Sequence, residues 1–187
     1  MVTHGDPEIG AEVLEACRKG DREAFPALYE AYKDKVYSIA LYYFHGDRTI
    51  ASDVTQQVFL KLFTSIGQFR GESGFSTWLY RLVVNTCTDV ARRHKPQVVA
   101  MDRTVLEAQS REGTPEEEVA LAERKESVQS AVAALPERFR LAILLRYFEG
   151  LSYEEMAKAL NCSMGTVASR ISRGHRLLAE MLAEYRK

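Results

Sequence analysis

From Ser163 to Arg176 the chain carries Arg170, Arg173 and Arg176 and no acidic residue. A guanidinium offers two parallel donors that match a guanine edge or a phosphate. At roughly 100° per residue, Val167, Ile171 and Leu178 fall within about 40° of one another. Ser169, Ser172, Arg173 and Arg176 point the other way, and Arg170 sits on the flank. A helix held by an apolar stripe, with a cationic face turned outward, suits insertion into a major groove. A solvated face on an ordinary bundle helix carries the same charges, so the preceding segment matters. There a short helix with Met156, Ala157 and Leu160 runs into a tight turn at Asn161-Cys162-Ser163. Ser152 to Leu178 thus has the layout of a helix-turn-helix.

Two further groups carry recognition chemistry. On a helix read from Ser76 to Arg93, Leu79, Leu82, Val83, Thr86 and Val90 form an inward stripe. Arg81, Asn85, Thr88 and Arg92 form a polar face, extended by Arg93 and Lys95. A loop holding Phe69 and Arg70 precedes it, and Trp78 lies in its first turn. Cations beside aromatics suit single-stranded nucleic acid, whose bases stack on rings; the alternative is that Phe69 and Trp78 are core. On the helix before that loop, Val54, Val58 and Leu62 line one side. Asp53, Gln56, Gln57 and Leu60 share another, an apolar residue among polar ones that suits a protein-docking face.

Catalytic chemistry finds no foothold. His4, His45, His94 and His175 make no metal-ligand spacing, and neither a GxSxG elbow nor a phosphate loop is present. Cys17, Cys87 and Cys162 are far apart and form no CxxC pair, so they are expected to be buried or half-buried thiols in a reducing compartment. The reading is a protein that is not an enzyme, with no metal and no cofactor. The formal net charge of −1 announces no nucleic acid overall, so any such signal lies in local patches. No apolar run approaches the roughly 20 residues needed to span a bilayer, and Met1 to Pro7 has neither a basic nor an apolar leader region. The expected location is cytoplasmic, without membrane insertion.

The elements that must position these residues read as helices throughout. Asp6-Pro7 starts one that ends at Gly20. Asp21 caps a long second helix with Phe25, Leu28, Tyr32, Val36, Ile39 and Tyr43 three or four apart, ended by Gly46. Asp47 opens a third, through about Ser65. Pro96 breaks the pattern, and Gln97 to Glu126 holds eight acidic and four basic residues, net −4. Its first part reads as a linker. Helix resumes at the capping box Thr114-Pro115-Glu116-Glu117. After a break at Leu135-Pro136 comes a helix from Glu137 to Glu149 closed by Gly150, then the capping box Ser152-Tyr153-Glu154-Glu155 and a last helix from Ser163 to about Tyr185. The expected fold is all-α: two helical domains, residues 1–95 and 114–187, joined by a linker at 96–113, with the helix-turn-helix in the second.

Two blocks in this order resemble a known family. Asp53-Val54-Thr55-Gln56-Gln57-Val58-Phe59-Leu60-Lys61-Leu62, then Phe69-Arg70-Gly71 through Phe75-Ser76-Thr77-Trp78-Leu79-Tyr80-Arg81 and Asn85, resembles region two of sigma factors. Leu135-Pro136-Glu137-Arg138-Phe139-Arg140 and the helix-turn-helix resemble region four. With no room for other sigma regions, the chain resembles the extracytoplasmic-function (ECF) subgroup of the sigma-seventy family.

The resemblance implies a transcription initiation factor with core RNA polymerase, promoter DNA and an anti-sigma factor as partners. Asp53, Gln56, Gln57 and Leu60 would dock on the clamp coiled coil of the largest polymerase subunit. Phe69, Arg70, Gly71 and the face of Arg81, Asn85 and Arg92 would capture a flipped base of the minus-ten element. Thr166, Ser169, Arg170, Arg173 and Arg176 would read the minus-thirty-five element, and the acidic linker would thread towards the RNA exit channel. Gln57 stands where the family usually has Glu, and Ala168 where many members have Arg or Lys, which implies a different promoter preference. The competing reading is a sigma-like adaptor that binds an anti-sigma factor without starting transcription; it would not need the arginines of the last helix or Asn85.

Overall fold

A computed structural model describes residues 9–71, 73–93, 124 and 127–183. Among them every regular element is a helix. In chain order these are α1 (Ala11–Arg18), α2 (Phe25–Tyr43), α3 (Arg48–Ser65), a 3-10 turn (Ile66–Gln68) and α4 (Phe75–Arg93). The second block follows: α5 (residues 127–134), α6 (Glu137–Tyr147), α7 (Tyr153–Ala159) and α8 (Met164–Ala183). The reading of Asp6-Pro7, the linker at 96–113 and the box at Thr114 lies outside the described residues.

Helices α2, α3 and α4 pack on one another, and their apolar spacing explains why. Leu28, Val36, Val54, Val58, Leu62, Leu79 and Val83 are fully enclosed at the helical spacing seen in the sequence. Asp47 caps α3 by accepting from the Ile50 amide at 2.9 Å. Asp21 does not cap α2. It accepts from the Glu23 amide at 2.9 Å, a turn of its own, and the helix begins at Phe25 with Pro26 in its first turn. The aspartate that looked like a cap lies four residues before the first helical one.

In the second block α6, α7 and α8 form the other bundle. The capping box on α7 is complete: Glu155 N–H donates to Ser152 Oγ at 3.2 Å, and Ser152 N–H donates to Glu155 Oε2 at 2.7 Å. Helix α6 ends at Tyr147, two residues short of the expected Glu149, with Gly150 in the left-handed region at φ +69°.

Helix α8 lies close against α6 at Gly174. A Cβ there would stand 3.0 Å from Ile143 Cγ1 and 3.2 Å from its Cδ1. Gly174→Ala sets a helix-propensity gain of about 1 kcal/mol against this crowding and should change stability by less than about 1 kcal/mol. Gly174→Leu should push the helices apart and lower the unfolding free energy in urea by about 1–3 kcal/mol. A leucine variant as stable as the parent would show that the approach is not tight.

The two blocks do not stand apart. Their buried residues run together in one cluster, and the seam between them is more polar than either interior. Arg140 is 4% exposed; its Nη1 donates to the Tyr43 carbonyl and its Nη2 to the Leu135 carbonyl at 2.7 Å. The Tyr43 hydroxyl donates to Glu137 Oε2 at 3.2 Å. Burial, then the Glu137 carboxylate, holds the Tyr43 phenol far above its ordinary pKa, so it stays a donor. Tyr42 meets the Phe148 ring edge-on at 4.7 Å between centroids. Helix α7 sits on α4, and Tyr80, Val84 and Cys87 of α4 are buried in addition to its expected stripe. Cys17 and Cys87 are buried and Cys162 is half-buried, all as free thiols; burial pushes the Cys87 thiol up to about 12, which makes it inert near neutrality.

Candidate nucleic-acid interface

The tight turn of the helix-turn-helix is made by Asn161, which adopts φ +48°, a conformation asparagine tolerates better than most residues. The Cys162 amide reaches back to the Ala157 carbonyl at 3.0 Å, closing the end of α7. Ser163 then caps α8, accepting from the Thr166 amide at 3.2 Å. The turn thereby aims α8 across α7.

Along α8, Val167, Ile171 and Gly174 are buried and Leu178 is half-buried. The apolar stripe is therefore the expected one with Gly174 added. Its spacing of three from Ile171 and four from Leu178 was the available signal. Ser169, Ser172, Arg173 and Arg176 are exposed and Arg170 is half-buried on the flank. Thr166 is half-buried, and its hydroxyl lies 2.9 Å from that of Ser163, within the cap. Arg176 is 4.0 Å from Glu180, an exposed pair worth little. Arg173 pairs with no carboxylate among the described residues, so its fork is available to a ligand. His175 is held aside: its Nε2 lies 2.6 Å from the Tyr147 hydroxyl on α6.

On α4, Arg81, Asn85 and Arg92 are exposed on one face as expected. Thr88 is half-buried, and its hydroxyl donates to the Val84 carbonyl at 2.8 Å. The loop before α4 splits. Arg70 and Gly71 are exposed, with Gly71 at φ +73°. Phe69 is 6% exposed and packs with Phe75 and Trp78, at 5.5 Å between the Phe69 and Trp78 ring centroids. It is core: its ring supports the loop and is not presented to a base, because three adjacent aromatics bury more area together than singly.

The α3 face is also as read. Asp53 and Gln56 are exposed, Gln57 is half-buried, and Leu60 is 65% exposed. Phe63, one turn further on, and Tyr29 of α2 are exposed as well and were not singled out in the sequence. Phe63 leans on Phe25 at 5.0 Å and Tyr29 on Phe59 at 4.7 Å, so the apolar surface extends past Leu60 to the neighbouring helix. The spacing of three between Leu60 and Phe63 was the signal that could have found it.

No helix among the described residues is long and apolar enough to cross a membrane. The family description sigma-70 region 2 matches residues 28–97, and sigma-70 region 4 matches residues 125–178. The chain is 36% identical over 185 residues to the RNA polymerase sigma-H factor of Pseudomonas aeruginosa, covering 94% of each. It is 38% identical over 172 residues to the ECF RNA polymerase sigma-E factor of Escherichia coli, covering 86% of this chain and 87% of that one. In fold it is similar to the sigma factor RpoE from Bartonella quintana, solved with the anti-sigma factor NepR. The TM-score is 0.67 at 22% identity, over 86% of this chain and 98% of that one. It is likewise similar to CnrH, solved with the cytosolic domain of CnrY, with a TM-score of 0.65 at 22% identity, over 92% of this chain and 96% of that one.

Proposed function

The chain belongs to the ECF subgroup of the sigma-70 family of sigma factors, and from that premise we propose how its exposed faces divide the work of starting transcription. As a sigma factor it binds core RNA polymerase and directs promoter recognition and melting, and an anti-sigma factor is a further partner. Asp53, Gln56, Gln57 and Leu60 dock on the polymerase clamp. Arg70, Gly71, Arg81, Asn85 and Arg92 hold the opened minus-ten strand, with Phe69 supporting their loop from beneath. Thr166, Ser169, Arg170, Arg173 and Arg176 engage the minus-thirty-five duplex, Thr166 through the cap it shares with Ser163. Residues 1–95 and 114–187 act as two domains on a linker at 96–113. Melting draws on binding energy and needs no catalytic residue, so the protein is not an enzyme, and it works in the cytoplasm, where polymerase and chromosome are.

The observation that carries this assignment is the pairing on one chain of a cationic helix-turn-helix face with an apolar docking face beside Leu60. A duplex-binding repressor needs only the first. Retention of promoter fragments should therefore be measured with the chain alone, with core polymerase alone and with both. Sequence-selective retention is expected only with both. Equal selectivity from the chain alone would make it a stand-alone duplex binder.

A further inference from the structure

We propose that the free chain is held closed by a carboxylate latch, Glu149 of the α6–α7 loop seated between Tyr80 of α4 and Lys35 of α2, and that promoter engagement requires this latch to open. The proposal rests on the sigma-factor reading, since it concerns the two promoter elements.

The Glu149 side chain is 4% exposed, which is costly for a carboxylate unless it is partnered. Its partners come from the other block. The Tyr80 hydroxyl donates to Oε2, and Lys35 Nζ stands 4.0 Å from the same oxygen. Tyr80 is 1% exposed, so its hydroxyl leaves water to make this bond. Breaking the seam would return both groups to water. The latch is therefore polar, and its strength is set by charge, unlike an apolar core that would bind the blocks permanently.

Dimensions give the latch a consequence. A compact chain of this length has a radius of gyration of about 16 Å and is roughly 40 Å across. The minus-ten and minus-thirty-five elements are about 25 base pairs apart, which at 3.4 Å each is roughly 85 Å along the duplex. The α4 and α8 reading faces are both exposed, yet in the closed form they lie within one body too small to reach both elements. Closure therefore blocks two-site promoter engagement by distance, leaving each face uncovered. Apparent affinity for polymerase falls by the fraction of chain that is closed.

The test uses the full chain and small-angle X-ray scattering. The parent should give a radius of gyration near 16 Å. Glu149→Lys, which sets a second cation against Lys35, should raise it towards the roughly 25 Å of two half-sized bodies standing apart. The helical circular dichroism should be unchanged. Adding Lys35→Glu to that variant restores opposite charges and should bring the radius back down. If Glu149→Lys fails to fold, Glu149→Gln keeps the shape while removing the charge, and its radius should lie between these values. The open variant should also bind core polymerase several-fold more tightly than the parent. A folded Glu149→Lys or Glu149→Gln chain as compact as the parent overturns the latch. Expansion with unchanged polymerase affinity overturns its regulatory role. Should the parent fail to bind core polymerase at all, the sigma-factor reading fails while the scattering still decides the latch.

Discussion

Changing Gln56 and Leu60 together to Asp is expected to remove this chain from core polymerase, with a loss in affinity of at least about 100-fold, or about 2.7 kcal/mol. Leu60 is 65% exposed in the free chain and adjoins the apolar surface of Phe63 and Tyr29. An exposed apolar residue at the centre of such a patch is the natural anchor of an interface, and a carboxylate in its place would be buried without a partner. Neither side chain contributes to the α2–α3–α4 interior, and the change costs α3 only about 1 kcal/mol in helix propensity. The variant should therefore remain folded by circular dichroism while failing to co-purify with polymerase. Undiminished co-purification would move the docking face elsewhere.

The second large effect separates the two DNA-reading sites. Arg173 is exposed on α8 with its fork unpaired among the described residues. As a base reader, its replacement by Ala should cost about 1–3 kcal/mol and relax preference at one minus-thirty-five position. A phosphate contact would instead weaken all promoters alike and reduce the salt slope by roughly one unit. Asn85 is uncharged, so it releases no counterion. Its amide can both donate to and accept from an extruded base. Asn85→Ala should leave duplex binding and its salt dependence intact while suppressing strand opening, read as permanganate reactivity of unpaired thymines. Melting as complete as the parent's would remove Asn85 from base capture.

Local chemistry was legible in the sequence. Asp47 and Ser152 cap where their types and spacing say they should, and the buried positions of α2, α3 and α8 follow the 3.6-residue period. Where a local signal misled, a neighbouring geometry decided. Asp21 has cap chemistry but closes a turn with Glu23. Phe69 sits in a loop beside Arg70, as a base-stacking residue would, yet Phe75 and Trp78 draw it inward. What no periodicity carries is the seam. Tyr80 and Val84 lie beside the stripe of α4 and look like a half-exposed flank until α7 is placed over them. Glu149 reads as the last residue of a solvated helix, but α6 ends two residues earlier and the loop turns the carboxylate into the interior. Partners 69 and 114 residues away in the chain decide its environment, and no window of sequence contains them.

Run-off transcription by core polymerase on a randomised promoter library tests the central claim most directly. With this chain added, the transcribed templates should converge on a paired minus-ten and minus-thirty-five consensus, and reactions lacking it should yield no such enrichment. Transcripts no more selective with the chain than without it, from a chain shown to bind core polymerase, would contradict its assignment as an initiation factor.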